Sequence, residues 1–385
     1  MISETFKFKI FYFIRYFGDA FFYPFMSIYF ISKGVSESNL GIILAISPIT
    51  MILVNPFWNF LVKDIKASRL ILKIMTLVEG LLIIVLTQVS GFEMYMLIVC
   101  LIAFFCSPFI QIQDGFTATF SNNNKIEYSS IRIYASIAYV IASAIAGFVI
   151  MYLGYATMFI VSGIFFALTT IVILWLKPVK EETVVSDKRE RDVKGLLKNI
   201  DFYKYLLFYT IVIGAVRIGD SFFSIYIVND KGMSLTSYGL LYSAFVFVEV
   251  LTLRFLITRG QLTSEKTLLI IANLLFIIRF LFYGLNLPLS ALIPITLIRG
   301  VSWGILIFAH IRFVIKIVKI ENVTTAILLM TLFFSIFTAI GNFLFGKMVE
   351  SIGFAWPYLI LMFILVLGLL LFLVLTPKTR ETELQ

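Results

Sequence analysis

The stretch Arg15-Tyr16-Phe17-Gly18-Asp19-Ala20-Phe21-Phe22, followed by Ser27-Ile28-Tyr29 and by Lys33-Gly34-Val35-Ser36-Glu37-Ser38, decides the fold because it occurs twice. The second copy reads Arg217-Ile218-Gly219-Asp220-Ser221-Phe222-Phe223, then Ser224-Ile225-Tyr226, then Lys231-Gly232-Met233-Ser234-Leu235-Thr236. The two Lys-Gly pairs are 232 − 34 = 198 residues apart in a chain of 385, so two halves of common design follow one another. Arg15 and Asp19 stand four residues apart, on one helical face where they can pair; Arg217 and Asp220 stand three apart.

Composition says where those halves fold. The chain is 61% hydrophobic and only 14% charged, with 41 phenylalanines, more than a soluble core absorbs. Apolar runs of about 20 residues, each long enough to cross roughly 30 Å of hydrocarbon as a helix, follow one another with short polar breaks. About twelve are read, six per half. The expected fold class is therefore an all-α polytopic membrane protein, with twelve transmembrane helices in two six-helix bundles related by pseudo-twofold symmetry. Residues 1–176 form the first bundle, 177–204 a cytoplasmic linker and 205–385 the second bundle with a short tail.

The net charge of +9 does not point to nucleic acid, because the basic residues lie between apolar runs rather than in one patch. Lys63, Lys66, Arg69 and Lys73 follow span 2. Lys177, Lys180, Lys188, Arg189, Arg191, Lys194 and Lys198 fill the central loop. Arg254, Arg259 and Lys266 follow span 8, and Lys316 and Lys319 follow span 10. The opposite loops carry little besides Lys33, Lys231 and Lys347, so the positive-inside rule puts both termini and the central loop in the cytoplasm of a plasma-membrane protein. The only cysteines, Cys100 and Cys106, lie within span 4, where a structural disulfide is not expected. Residues 1–9 lead straight into a span with no small-residue cleavage site, as in a signal anchor.

Several chemistries are excluded. No Gly-rich phosphate loop is present, so direct ATP hydrolysis is not the power source. The single histidine, His310, near Arg312, supports neither a catalytic triad nor a metal site, and reads as an interfacial polar residue. The chain is read as no enzyme, with no cofactor and no metal. Nothing specifies an oligomer, and a monomer is expected.

What remains distinctive is charge inside the spans. Glu79 in span 3 is too costly to face lipid and bonds a neighbouring helix or serves transport. Asp114 in span 4 and Arg132 in span 5 are 132 − 114 = 18 residues apart, on neighbouring antiparallel helices, where they can meet as a structural ion pair or as part of a binding site. Glu249, Arg279 and Arg299 are buried in spans 8, 9 and 10, and Arg299 opens the segment Arg299-Gly300-Val301-Ser302-Trp303. Tyr139, Tyr134 and Trp303 are placed for ligand stacking.

The segment Tyr128-Ser129-Ser130-Ile131-Arg132-Ile133-Tyr134-Ala135-Ser136-Ile137-Ala138-Tyr139 resembles the Tyr-Gly-x-x-Arg-x-Trp-Gly-Ser signature of phenylpropionate-permease-like transporters of the major facilitator superfamily. The lactose-permease branch has a similar segment, with an acid on span 4 and an arginine on span 5 at the same spacing. The resemblance implies that Asp114 and Arg132 line the substrate cavity, with Tyr139 where the sugar permease has a stacking tryptophan. Arg279 and Arg299 sit where that permease has an arginine and a histidine, and Ser302 sits where an acid follows. Loosely similar too is the loop after span 2, where Asn59 and Asp64 stand against Gly-x-Leu-x-Asp-Arg.

The reading is a secondary active transporter working by alternating access, importing a small polar solute by symport with protons. Surplus arginines, with their forked geometry, slightly favour an organic or aromatic acid over a sugar or nucleoside. Glu249, paired with Arg279 or Arg299, is the first candidate for proton coupling, ahead of Asp114 and Glu79; a permanent salt bridge is its structural alternative. A proton-antiport exporter of drugs or metabolites, and a non-transporting scaffold or receptor, are the competing functions.

Overall fold

The computed structural model describes residues 3–62, 64–179, 193–259 and 263–377, and these are helical almost throughout. Helix α1 runs Glu4–Phe22, tightens into a 3-10 turn at Tyr23–Phe25 where Pro24 withholds its backbone N–H, and resumes as Met26–Ser32. Helix α2 is Glu37–Leu61 and α3 is Ile65–Leu86. Helix α4 consists of Phe92–Cys106 and Phe109–Asn123, interrupted at Ser107-Pro108. The 47-residue stretch Ser129–Trp175 is two spans, α5 and α6, divided at Gly154, whose φ of 79° leaves the helical region. In the second half α7 is Ile200–Ile225 with a π-turn at Tyr226–Asp230, α8 is Leu235–Arg259 and α9 is Glu265–Gly284. Helices α10, α11 and α12 are Leu289–Ile317, Val323–Ile352 and Ala355–Leu375. These are the twelve expected spans.

The repeat is a structural repeat. In each copy the glycine of the Lys-Gly pair takes the left-handed conformation that ends a helix, Gly34 at φ 80° and Gly232 at φ 74°. The serine two residues on then caps the next helix: Ser36 accepts from Asn39 N at 3.3 Å, and Ser234 from Ser237 N at 3.1 Å. The tyrosine of each Ser-Ile-Tyr donates to a carbonyl 57 residues further on, Tyr29 to Leu86 O at 3.1 Å and Tyr226 to Tyr283 O at 2.9 Å. In the loop after α2, Asp64 caps α3 through Ala67 N at 2.6 Å, and Arg69 donates to the last carbonyls of α6, including Leu176 O at 2.6 Å.

The chain forms two compact units, Met1–Ser186 with Met233–Ser243 and Asp187–Gly232 with Ala244–Gln385. Each is packed by glycine crossings. In the first, a Cβ on Gly80 of α3 would lie 2.7 Å from Gly163 O of α6; in the second, a Cβ on Gly300 of α10 would lie 2.3 Å from Phe245 O of α8. Gly304, one turn on, meets Thr252 in the same way, so Gly300-x-x-x-Gly304 brings two backbones together. Large apolar side chains remain exposed, Leu53 at 71%, Phe255 at 64% and Val374 at 78%, as spans bathed in hydrocarbon require. The expected linker begins at Lys177, yet α7 already starts at Ile200 under the Asn199 cap. Lys63, Lys180, Lys188, Arg189, Arg191 and the tail beyond Pro377 lie outside the described residues, as do the side chains of Asn59 and Lys194.

Candidate functional site

Among the described residues, three charge clusters lie away from the ends of the spans. The first is built by α1 and α3. Arg15 reaches Asp19 at 2.8 Å, one turn along its own helix, and Glu79 at 3.0 Å across the interface. Glu79 also accepts from the Tyr23 hydroxyl at 2.9 Å, and that hydroxyl lies 2.8 Å from Cys106 Sγ. Phe109 and Phe166 flank the guanidinium at 4.3 and 4.2 Å. All three charged residues are 5% exposed or less, so the triad is dry, and it holds two carboxylates for one guanidinium. A buried imbalance of this kind is expensive unless a further charge cancels it.

The second cluster joins α1, α4 and α5 in the same unit. Arg132 Nε is 3.7 Å from Asp114 Oδ1, and its Nη1 donates to the Tyr16 hydroxyl at 3.0 Å. Tyr12 donates to Asp114 Oδ1 at 2.7 Å and stacks on Tyr16 with an interplanar angle of 6°. The side chains of Arg132 and Asp114 are 39% and 32% exposed, so this pair is loose and wet where the triad is tight and dry. Tyr139 lies on the same helix as Arg132 and stacks on Tyr242 at 5.9 Å.

The third cluster belongs to the second unit. Asp220 of α7 meets Arg279 of α9 at 2.9 Å and Arg299 of α10 at 3.1 Å, and accepts from Trp303 Nε1 at 3.1 Å. Arg279 is fully buried against Phe280 at 4.6 Å. Arg217, half a span from either end of α7, lies over the Trp303 ring at 4.9 Å and has no carboxylate within 4.0 Å among the described residues. This arrangement inverts the first triad, with two guanidiniums for one carboxylate.

A family model described as the MFS_1-like family matches residues 5–376. The chain belongs to that family. Its members are transporters rather than enzymes, and the protein is an integral, multi-pass membrane transporter. The chain is 22% identical over 387 residues to the maltose permease of Geobacillus stearothermophilus, covering 97% of this chain and 95% of the permease. It is 21% identical over 324 residues to a protein of Escherichia coli strain K12 named "Probable 3-phenylpropionic acid transporter", covering 82% of this chain and 85% of that one. The solved structure of a point mutant of the nucleoside transporter NupG superposes with a TM-score of 0.84 at 15% identity, covering 97% and 99% of the two chains; this likeness is one of fold.

The clusters rearrange the expected partners. Glu249 does not pair with Arg279 or Arg299, because Asp220 takes both; Glu249 forms no ion pair among the described residues and packs by its backbone against Gly300 and Gly304. Asp114 and Arg132 meet, and Glu79 bonds a neighbouring helix. Trp303 is only 9% exposed and lies beneath Arg217, so it is not an open stacking platform; Tyr134 lies under Lys9 at 5.2 Å. His310 is held by Tyr205 at 2.9 Å and stacks on Tyr209 at 4.1 Å, away from the charge clusters. The sequence reading leaves Tyr12, Tyr16 and Tyr23 out of the site. Their signal was available, since each falls within a turn or two of Arg15 or Asp19.

Proposed function

We propose that this protein is a proton-coupled importer of small organic acids that works by alternating access. The observation that carries the reading is the charge inventory of the interior spans. The first unit sets Arg15 and Arg132 against Asp19, Glu79 and Asp114, one carboxylate in excess. The second sets Arg217, Arg279 and Arg299 against Asp220 and Glu249, one guanidinium in excess. A bound proton cancels the first excess and a bound anion cancels the second, so each unit gains from taking up the species that a proton–acid symporter carries. The Arg15–Asp19–Glu79 triad is the proton site in this scheme. The loose Asp114–Arg132 pair, with the hydroxyls of Tyr12 and Tyr16, receives the polar groups of the solute. The basic loops set the termini in the cytoplasm of the plasma membrane, and the working unit is a monomer. Relatives named for maltose and for 3-phenylpropionic acid support a small polar solute.

The test is uptake into proteoliposomes of labelled 3-phenylpropionate, maltose and uridine, with and without an inward proton gradient. The acid is expected to accumulate with the gradient, to stop on addition of a protonophore, and to be lost in Arg132→Ala. Accumulation of maltose or uridine without the acid would refute the solute class. Acid accumulation indifferent to the gradient would refute the coupling, and a rise of cellular acid on gene deletion would reverse the direction.

A further inference from the structure

We infer that Arg217 is the group that receives the carboxylate of the acid, and that Trp303 and Asp220 hold Arg217 in position to do so. The inference rests on the acid reading above and assigns it a site. Arg217 lies 17 residues after the start of α7 at Ile200 and 13 before Asp230, at the middle of an apolar span where an arginine turned to lipid costs about 2.5–3.5 kcal/mol or more. Its side chain is nevertheless exposed. An exposed guanidinium at that depth belongs to a hydrated space, and the polar neighbours Asp220, Arg299 and Trp303 lie on its side of the helix.

The carboxylate three residues on is already committed, and Glu249, though in the same neighbourhood, makes no ion pair with Arg217 within 4.0 Å. Asp220 gives one oxygen to Arg279 and the other to Arg299 and to the indole N–H of Trp303. The i,i+3 spacing that would pair Arg217 with Asp220 is thus overridden by two tertiary arginines. Trp303 in turn is fixed twice, through that N–H and by an edge-on contact with Phe276 at 5.9 Å and 74°. Its ring therefore offers Arg217 a fixed aromatic surface, 4.9 Å from the guanidinium carbon. A forked donor held over a fixed ring, with no carboxylate within 4.0 Å among the described residues, is suited to bind a carboxylate in two parallel bonds. Arg132, by contrast, already faces Asp114 and donates to Tyr16. The recognised class is a monocarboxylate. Its uncharged amide is recognised more weakly, because it lacks the charge that the second unit needs.

The experiment is titration of the detergent-purified full chain with 3-phenylpropionate and with 3-phenylpropionamide, read by tryptophan fluorescence and by calorimetry. Wild type is expected to bind the acid saturably and the amide at least about tenfold more weakly, as a charge-assisted pair implies. Arg217→Gln is expected to lose acid affinity by at least about tenfold, and Arg217→Lys to recover part of it, because charge returns without the fork. Equal acid affinity in wild type and Arg217→Gln would overturn the assignment and leave the acid reading standing. Binding of maltose or uridine in place of the acid by wild type would overturn both.

Discussion

Neutralising Asp220 isolates the electrostatic role of the third cluster. In Asp220→Asn the shape of the side chain is kept while its charge is lost. Arg279, fully buried and 2.9 Å from that carboxylate, then loses this counter-charge, and Arg299 loses its contact at 3.1 Å. Breaking a buried pair from one side costs about 3–5 kcal/mol, because the surviving charge cannot be rehydrated. A domain of 150–250 residues shifts its Tm by roughly 2–4 °C per kcal/mol, so a fall of roughly 6–20 °C is expected in thermal unfolding of the detergent-solubilised protein. Adding Arg279→Gln removes the stranded charge and is expected to recover more than half of the loss. The mirror substitution Glu79→Gln is expected to cost less than half as much, since Arg15 keeps Asp19 at 2.8 Å and one of two carboxylates is surplus. A fall below about 2 °C in Asp220→Asn, or a double variant whose losses simply add, would refute the reasoning.

Other substitutions separate packing from charge. Gly300→Ala places a methyl group 2.3 Å from Phe245 O and is expected to lower stability by about 1–3 kcal/mol, seen as a lower Tm and less monodisperse protein. Gly115→Ala, in a helix with nothing within 4 Å of the added carbon, is expected to raise stability by about 0.4–1 kcal/mol in the same assay. Glu265 pairs with Arg312 at 3.2 Å and Lys316 at 3.1 Å, both about a third exposed. Glu265→Gln is therefore expected to cost no more than about 1 kcal/mol, a difference that shrinks in high salt.

The twelve spans and the repeat are legible in sequence because hydropathy and the Lys-Gly-x-Ser punctuation are local: each glycine ends one helix and each serine starts the next. Arg15–Asp19 is legible for the same reason, being one helical turn. Asp220 is not, because its partners lie 59 and 79 residues away on α9 and α10 and outcompete the neighbour three residues off. The same competition removes the partners expected for Glu249. Spacing along one helix says which groups are able to meet, whereas burial decides which meeting matters: a fully buried guanidinium has no water to fall back on, and an exposed one such as Arg217 does.

The opposite signs of the two buried triads also bear on how the halves depend on one another. A chain made of two first halves would carry two surplus carboxylates among its interior charges, and one made of two second halves would carry two surplus guanidiniums. Among these interior charges the mixed chain balances, with Arg15, Arg132, Arg217, Arg279 and Arg299 against Asp19, Glu79, Asp114, Asp220 and Glu249. With opposite signs in the two copies, the interior charges of one half do not substitute for those of the other, and a symmetric architecture depends on two unequal parts.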